Sequence, residues 1–170
     1  MDQIAPLILT LQLDERSIAF FDGQRRRYFP RERNFIPAHL TLFHHLPGEH
    51  LATIEHGIET CASRERSFPV DVTGLRSLGR GVAYTLQSAQ LTELRRHLAV
   101  RWDGWLKPQD RQKHQPHVTV QNKVDPTQAR ALLEELLEGF LPFQATAIGL
   151  DLWWYRGGPW EKVNSFQFSG

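Results

Sequence analysis

Two periods of apolar residue alternate along the chain, and they set out its elements. Leu7 to Leu13 is an apolar run with β-forming residues and no breaker, which predicts a strand. Asp14 to about Phe29 reads as a helix, and Pro30 and Pro37 bound a loop. From His39 to Leu46 the side chains divide by parity: Leu40, Leu42 and His44 on one face, His39, Thr41, Phe43 and His45 on the other. That is a strand pattern, closed by Pro47-Gly48. Leu51 to about Arg66, with Ile54, Ile58 and Cys61-Ala62 on one side, predicts an amphipathic helix. Phe68 to Leu78 and Gly81 to Gln87 read as strands around a Gly79-Arg80-Gly81 turn. Ala89 to Leu106 is helix-like and leads into a polar loop through Pro108 and Pro116. His117 to Asn122 is the next strand. Asp125-Pro126 then opens a helix, with Asp as N-cap and Pro at the first helical position. Its apolar face is Leu132, Leu133, Leu136, Leu137 and Phe140. Phe143 to Trp154 and Trp160 to Phe168 are the last strands, joined across Gly157-Gly158-Pro159.

The same grammar occurs twice. A His-x-Thr-x strand, a turn, a helix, a strand, a Gly-rich turn and a strand run from His39 and again from His117. Gly79 lies 40 residues beyond His39, and Gly157 lies 40 beyond His117. The turns therefore keep phase with the motifs. With eight His in the chain, about 0.5 His-x-Thr matches are expected by chance, and about 0.1 with both neighbours apolar, against two found. A unit repeated twice predicts a pseudo-twofold pair of small sheets in one domain spanning residues 1–170, with repeat units at about 39–88 and 117–168.

Strand geometry gives the motif its chemistry. Side chains at i and i+2 share a face, so His39 points with Thr41, and His117 with Thr119, while Leu40, Leu42, Val118 and Val120 point inward. Two such strands across a pseudo-dyad would put two imidazoles and two hydroxyls around one cavity. Histidine exists in both protonation states near neutrality, so a pair can act as base and acid. Threonine hydroxyls can donate to non-bridging phosphate oxygens and stabilise charge there. The set suits a phosphodiester and a site without metal.

The segments Pro37-Ala38-His39-Leu40-Thr41-Leu42 and Pro116-His117-Val118-Thr119-Val120-Gln121-Asn122 resemble the 2H phosphoesterase superfamily, in its 2′-5′ RNA ligase-like branch. The resemblance implies an α+β bilobal fold: two antiparallel sheets lining a central groove, with helices outside. It implies opening of 2′,3′-cyclic phosphates of RNA ends or nucleotides, commonly to 2′-phosphates, with 2′-5′ ligation as the reverse activity. Carried over, His39 and His117 become the acid/base pair, and Thr41 and Thr119 the phosphate ligands. An RNA-end binding protein using the same groove without turnover is the alternative. Phe43-His44-His45 departs from the ligase-like pattern and bears on substrate identity.

Aromatic and charged residues add candidates. Tyr155 and then Trp160, beside the last turn, are candidates for stacking on a base, and Phe43 for a groove wall. His44 and His45 face opposite ways on a strand, and no Cys or carboxylate sits at ligand spacing nearby, so neither metal nor cofactor is expected. Arg25-Arg26-Arg27 and Arg31-x-Arg33 read as a solvated face, as do Arg80 and Arg156 at the two turns. A net charge of +1 does not mark a general nucleic-acid binder. At 41% apolar and 23% charged the chain is expected to be globular. Its single cysteine, Cys61, and the absence of a basic start and apolar run at Met1-Asp2-Gln3-Ile4 point to a cytoplasmic setting. No apolar stretch reaches membrane-spanning length, and a monomer is the default expectation.

Overall fold

Local signals account for where the elements begin. The Asp14 carboxylate accepts the Ser17 amide, Ser88 accepts that of Leu91, and Asp125 accepts that of Thr127, so three helices start on side-chain caps. The structure is a computed structural model that describes residues 3–170; Met1 and Asp2 of the N-terminal stretch read above lie outside them. The order is β1 (Leu7–Leu13), α1 (Glu15–Tyr28), β2 (Leu40–Leu46), α2 (Leu51–Arg64), β3 (Phe68–Ser77), β4 (Val82–Gln87), α3 (Ala89–Arg101), α4 (Pro108–Arg111), β5 (His117–Gln121), α5 (Pro126–Gly139), β6 (Phe143–Trp154) and β7 (Glu161–Gln167). The helix expected to reach Leu106 ends at Arg101, where a 3-10 turn at Asp103–Trp105 takes over. The expected polar loop contains α4, with Pro108 in its first turn.

All strand pairs are antiparallel, and the order β2-β1-β6-β3-β4-β5 is a palindrome of roles. The two motif strands, β2 and β5, are its outer edges. Next to them stand β1 and β4, and β6 pairs with β3 in the middle. The two expected sheets are thus two halves of one open sheet, joined through β6. At Ala147 the halves meet: it pairs with Leu13 on one side and Phe68 on the other. Beyond that point β6 leaves β3 and takes β7 as its neighbour. Along the chain the turns match β3–β4 with β6–β7, whereas in the sheet the counterpart of β4 is β1. Gly79 and Gly157, the glycines in phase with the motifs, share a left-handed backbone, at φ 83° and 88°.

The sheet curls enough for β2 and β5 to come into contact without sharing a ladder. Helix α1 packs on β5, α5 on β3 and β4, and α2 against α3, β6 and β7. Leu40, Leu42, Val118 and Val120 are fully buried, as the strand parity predicts. That parity then breaks in β2. Thr10 pairs with Thr41 but Leu9 pairs with Phe43, so one extra residue is bulged at Leu42. The bulge turns Phe43 inward, where it is fully buried and meets Trp102 edge-on at 5.2 Å between ring centroids. Phe43 is a core residue and not the expected groove wall. Among the described residues no helix is long and apolar enough to cross a membrane.

Close approach of β4 and β5 depends on Gly81, whose added Cβ would run into the Gln121 carbonyl oxygen and the Asn122 Cα. Gly81→Ala therefore forces the second motif strand away from β4. The expected outcome is a loss of about 2 kcal/mol, in the range for backbone and overpacking changes, measured by urea denaturation. An unchanged midpoint would show that the β3–β4 turn tolerates a side chain against β5.

Candidate active site

His39 sits at the entry to β2, and His117 opens β5. Each ring is held in the same way. His39 Nδ1 lies 2.9 Å from the Pro37 carbonyl oxygen, and His117 Nδ1 lies 2.8 Å from that of Gln115. A carbonyl only accepts, so Nδ1 donates in both, and each neutral ring keeps its Nε2 lone pair free. The approach to His39 is tied down by the Ala38 amide, which donates to Asp22 Oδ1 at 2.6 Å. Thr41 and Thr119 are half-buried on the faces of their histidines, between inward apolar neighbours.

Both motif strands are sheet edges, so their outer backbone groups need partners from elsewhere. Arg25 of α1 donates from Nη1 to the Thr119 carbonyl at 3.0 Å and from Nε to Asn34 Oδ1 at 2.8 Å. His114 Nε2 donates to the Thr41 carbonyl at 2.9 Å. Arg95 of α3 donates to the Leu42 carbonyl at 2.9 Å and to the Asp110 carbonyl at 2.8 Å, with its guanidinium over the Phe43 ring. The Asp110 side chain, 0% exposed, accepts the His44 amide on both oxygens, at 2.8 and 3.0 Å, and the His45 amide at 2.9 Å. It also accepts from His44 Nδ1 at 3.1 Å.

Burial and neighbouring positive charge keep the motif histidines neutral. His39 is pushed down to about 4, chiefly by desolvation; the Pro37 carbonyl opposes this, and Arg25, His117 and His44 reinforce it. His117 is lowered for the same leading reason, with Arg76 and His44 adding to it against the Gln115 carbonyl. His114 is also pushed down to about 4 by burial, despite its bond to the Thr41 carbonyl. Desolvation lowers Arg25 to about 10. For Asp110 burial acts upward, but the bonds from the His44 side chain and the His44 and His45 amides outweigh it and hold the carboxyl below its usual range.

A cavity of about 420 Å³ opens beside His39, walled by Phe35, Trp153 and Trp160. The Trp160 ring centroid lies 4.5 Å from that of His39 and 6.0 Å from that of Trp153. Trp160 thus joins the site. Tyr155 is exposed and lies outside this cavity wall. A larger cavity, about 770 Å³, lies between α1 and the C-terminal end of α5 and touches no motif residue. His45, Arg80 and Arg156 are exposed.

Sequence reasoning missed Arg25, His114 and Asp110. Arg25 was read with a solvated basic face, yet it is 4% exposed. Its signal was present: Phe21, Arg25 and Phe29 recur at a spacing of four and are all buried. Asp110 carries no such signal, because its partners are backbone amides 65 and 66 residues away.

A family model described as the 2′-5′ RNA ligase superfamily matches residues 13–159. The chain accordingly belongs to that superfamily, the 2H phosphoesterases. A search among curated proteins gives no match. Among solved structures, TT0787 of Thermus thermophilus is similar, with a TM-score of 0.69 at 18% identity, covering 97% of this chain and 98% of that one. LigT of E. coli complexed with NADP+ has a TM-score of 0.63 at 15% identity, and LigT complexed with 3′-AMP 0.58 at 18%; each pairing covers 99% of this chain and all of the other. At such identities these likenesses show a shared fold.

The depressed histidines make stability depend on pH. The unfolded chain takes up protons on His39 and His114 near 6.5, whereas the folded chain takes them up only near 4. Their contribution is fully present above pH 6.5 and is lost as pH falls towards 4. Urea midpoints should therefore fall steadily between those limits. His114→Gln, which retains a donor for the Thr41 carbonyl, should flatten the slope; an unaltered slope would remove His114 from the linkage.

Proposed function

We propose that the chain is a phosphodiesterase that opens 2′,3′-cyclic phosphates of RNA ends or nucleotides to 2′-phosphates without a metal. The observation that carries this reading is the matched pair of Nδ1–carbonyl bonds, which leaves Nε2 of His39 and of His117 free for proton transfer. One Nε2 takes the proton of the attacking water as its oxygen bonds to phosphorus. The other, protonated as the anionic phosphate binds beside it, gives its proton to the departing 3′ oxygen, leaving a 2′-phosphate and a 3′-hydroxyl. Thr41 and Thr119 donate to the non-bridging oxygens, where charge builds. A 5′-hydroxyl in place of water would give a 2′-5′ linkage by the same steps, the ligation reading. Because the two rings are held alike, their roles exchange with the direction of reaction.

The cavity beside His39 suits the base of a nucleotide, with Trp160 as the stacking surface. LigT of E. coli in complex with 3′-AMP and with NADP+ supports a nucleotide-bearing substrate. We assign the protein to the cytoplasm as a monomer, a setting compatible with its one free cysteine, Cys61, whose thiol is pushed up by burial to about 11.

Purified protein in chelator should open 2′,3′-cyclic nucleotides to 2′-phosphates, read by chromatography. His39→Ala and His117→Ala should each lower the rate by about 10²–10⁴-fold, the usual worth of a positioned acid or base. Full activity in either variant would sink the assignment. Trp160→Ala should raise KM for nucleotides by about tenfold, in line with stacking worth about 1–3 kcal/mol per base, and leave a base-free ribose cyclic phosphate unaffected. Equal effects on both substrates would remove the base contact.

A further inference from the structure

The two halves of the site are alike at the motif and differ five residues later, where His44 follows the first motif and Asn122 the second. Asn122 turns back on its own loop and accepts the Lys123 amide at 2.9 Å. His44 is held by a carboxylate with no solvent contact. Its side chain is 39% exposed, while Asp110 behind it is 0% exposed. The Asp110 oxygens are also fixed by the His44 and His45 amides, so neither partner can rotate away cheaply. Helix α4 is only four residues long, and its buried residue is Asp110. The segment between α3 and β5 thus delivers one carboxylate to the back of one imidazole.

The chemistry of that backing differs from the motif histidines. His39 and His117 each lean on a neutral carbonyl. His44 leans on an ionised carboxylate, which fixes the proton on Nδ1 and leaves Nε2 as the outward nitrogen. It lies on the first motif strand, five residues beyond His39, and a positive charge placed there would act on His39, His114 and His117 alike. Among the described residues no three His, Cys, Asp or Glu side chains form a group able to hold a metal ion. A phosphate oxygen at Nε2 would lie across the ring from the Asp110 carboxylate, and a hydrogen bond there would be charge-assisted, stronger than a neutral one. Arg95 and His114 face the same cluster but are spent on the Leu42, Asp110 and Thr41 carbonyls. Beside Asp110, the His44 ring is half-exposed and its Nε2 has no protein partner.

We propose that His44, oriented by Asp110, is a third phosphate-binding histidine, which anchors the substrate's phosphate through Nε2 and makes the two ends of the site unequal. The inference rests on the phosphodiesterase reading of the groove, but its first test does not need turnover. Inorganic phosphate is the probe, followed through the imidazole signals in ¹H–¹⁵N spectra. The expected result is a saturable shift of the His44 Nε2 signal, with phosphate bound about tenfold more weakly by His44→Ala, the usual cost of one charge-assisted hydrogen bond. Phosphate that moves the His39 and His117 signals without His44, or binds His44→Ala as tightly, overturns the proposal. A His44 response in a protein that opens no cyclic phosphate would leave this inference standing and sink the activity instead.

Turnover of a 2′,3′-cyclic nucleotide gives the second test. In His44→Ala, kcat/KM should fall by about tenfold, mainly through KM, as for loss of a contact made equally in ground and transition states. His44→Gln, which keeps a neutral donor, should recover part of the loss. A fall of about 100-fold in kcat at constant KM would instead make His44 a proton-transfer group and overturn the anchoring role. Circular dichroism of each variant separates loss of the anchor from loss of fold.

Discussion

The fold depends on satisfying two sheet edges that cannot be covered by strands. The strands that carry the motif histidines and threonines come into contact only because β2 and β5 are the outer strands of a curled sheet. An edge strand leaves alternate amides and carbonyls unpaired, and a neighbouring strand here would fill the groove. Arg25, Arg95, His114 and Asp110 supply the missing partners one at a time. The partners are also crossed. Arg25, from the helix after β1, holds β5, and Arg95, from the helix after β4, holds β2. Each half thereby fixes the motif of the other, and the relative placement of the two histidines follows from backbone hydrogen bonds rather than from loop packing.

This solution sets the electrostatics of the site. Burying two guanidiniums behind the motif strands lowers both from their usual range, while desolvation lowers the motif histidines, with Arg25 adding to it at His39 and Arg76 at His117. The histidines respond by staying neutral. A bound phosphate would add negative charge beside the rings, and would favour a proton on one of them as it arrives. That coupling is invisible in the net charge of +1, which sums charges over the whole chain.

Much of the scaffold was legible in residue order. The cap at Asp125 and the inward Leu40, Leu42, Val118 and Val120 depend on neighbours within a few residues, and the phase of Gly79 with Gly157 on a simple count along the chain. They survive into the structure. The failures have a common cause. Phe43 lies past a bulge in the β1–β2 register, and strand parity assumes no bulge. Arg25 was grouped with its neighbours by charge, although its burial with Phe21 and Phe29 obeys helical spacing. Asp110 and His114 act on β2 from a loop in the other half. Such contacts are long-range and carry no local pattern, so the site was legible in its four motif residues and not in the groups that hold them.

Strand β6 also governs the order in which the chain can be assembled. It is made last but one, yet it is the partner of the first strand, with Leu7 opposite Trp154 and Leu13 opposite Ala147. While the ribosome is still short of that strand, β1 and β2 can form a ladder with each other but have nothing to join them to β3. The nascent first half therefore waits with an open inner edge, exposing Leu7, Leu9 and Leu11 of a strand that is buried in the finished molecule. Pairings over such sequence distances are slow to close. A fragment ending between Thr119 and Phe143 would keep both His-x-Thr segments and still lack the seam that joins the two halves.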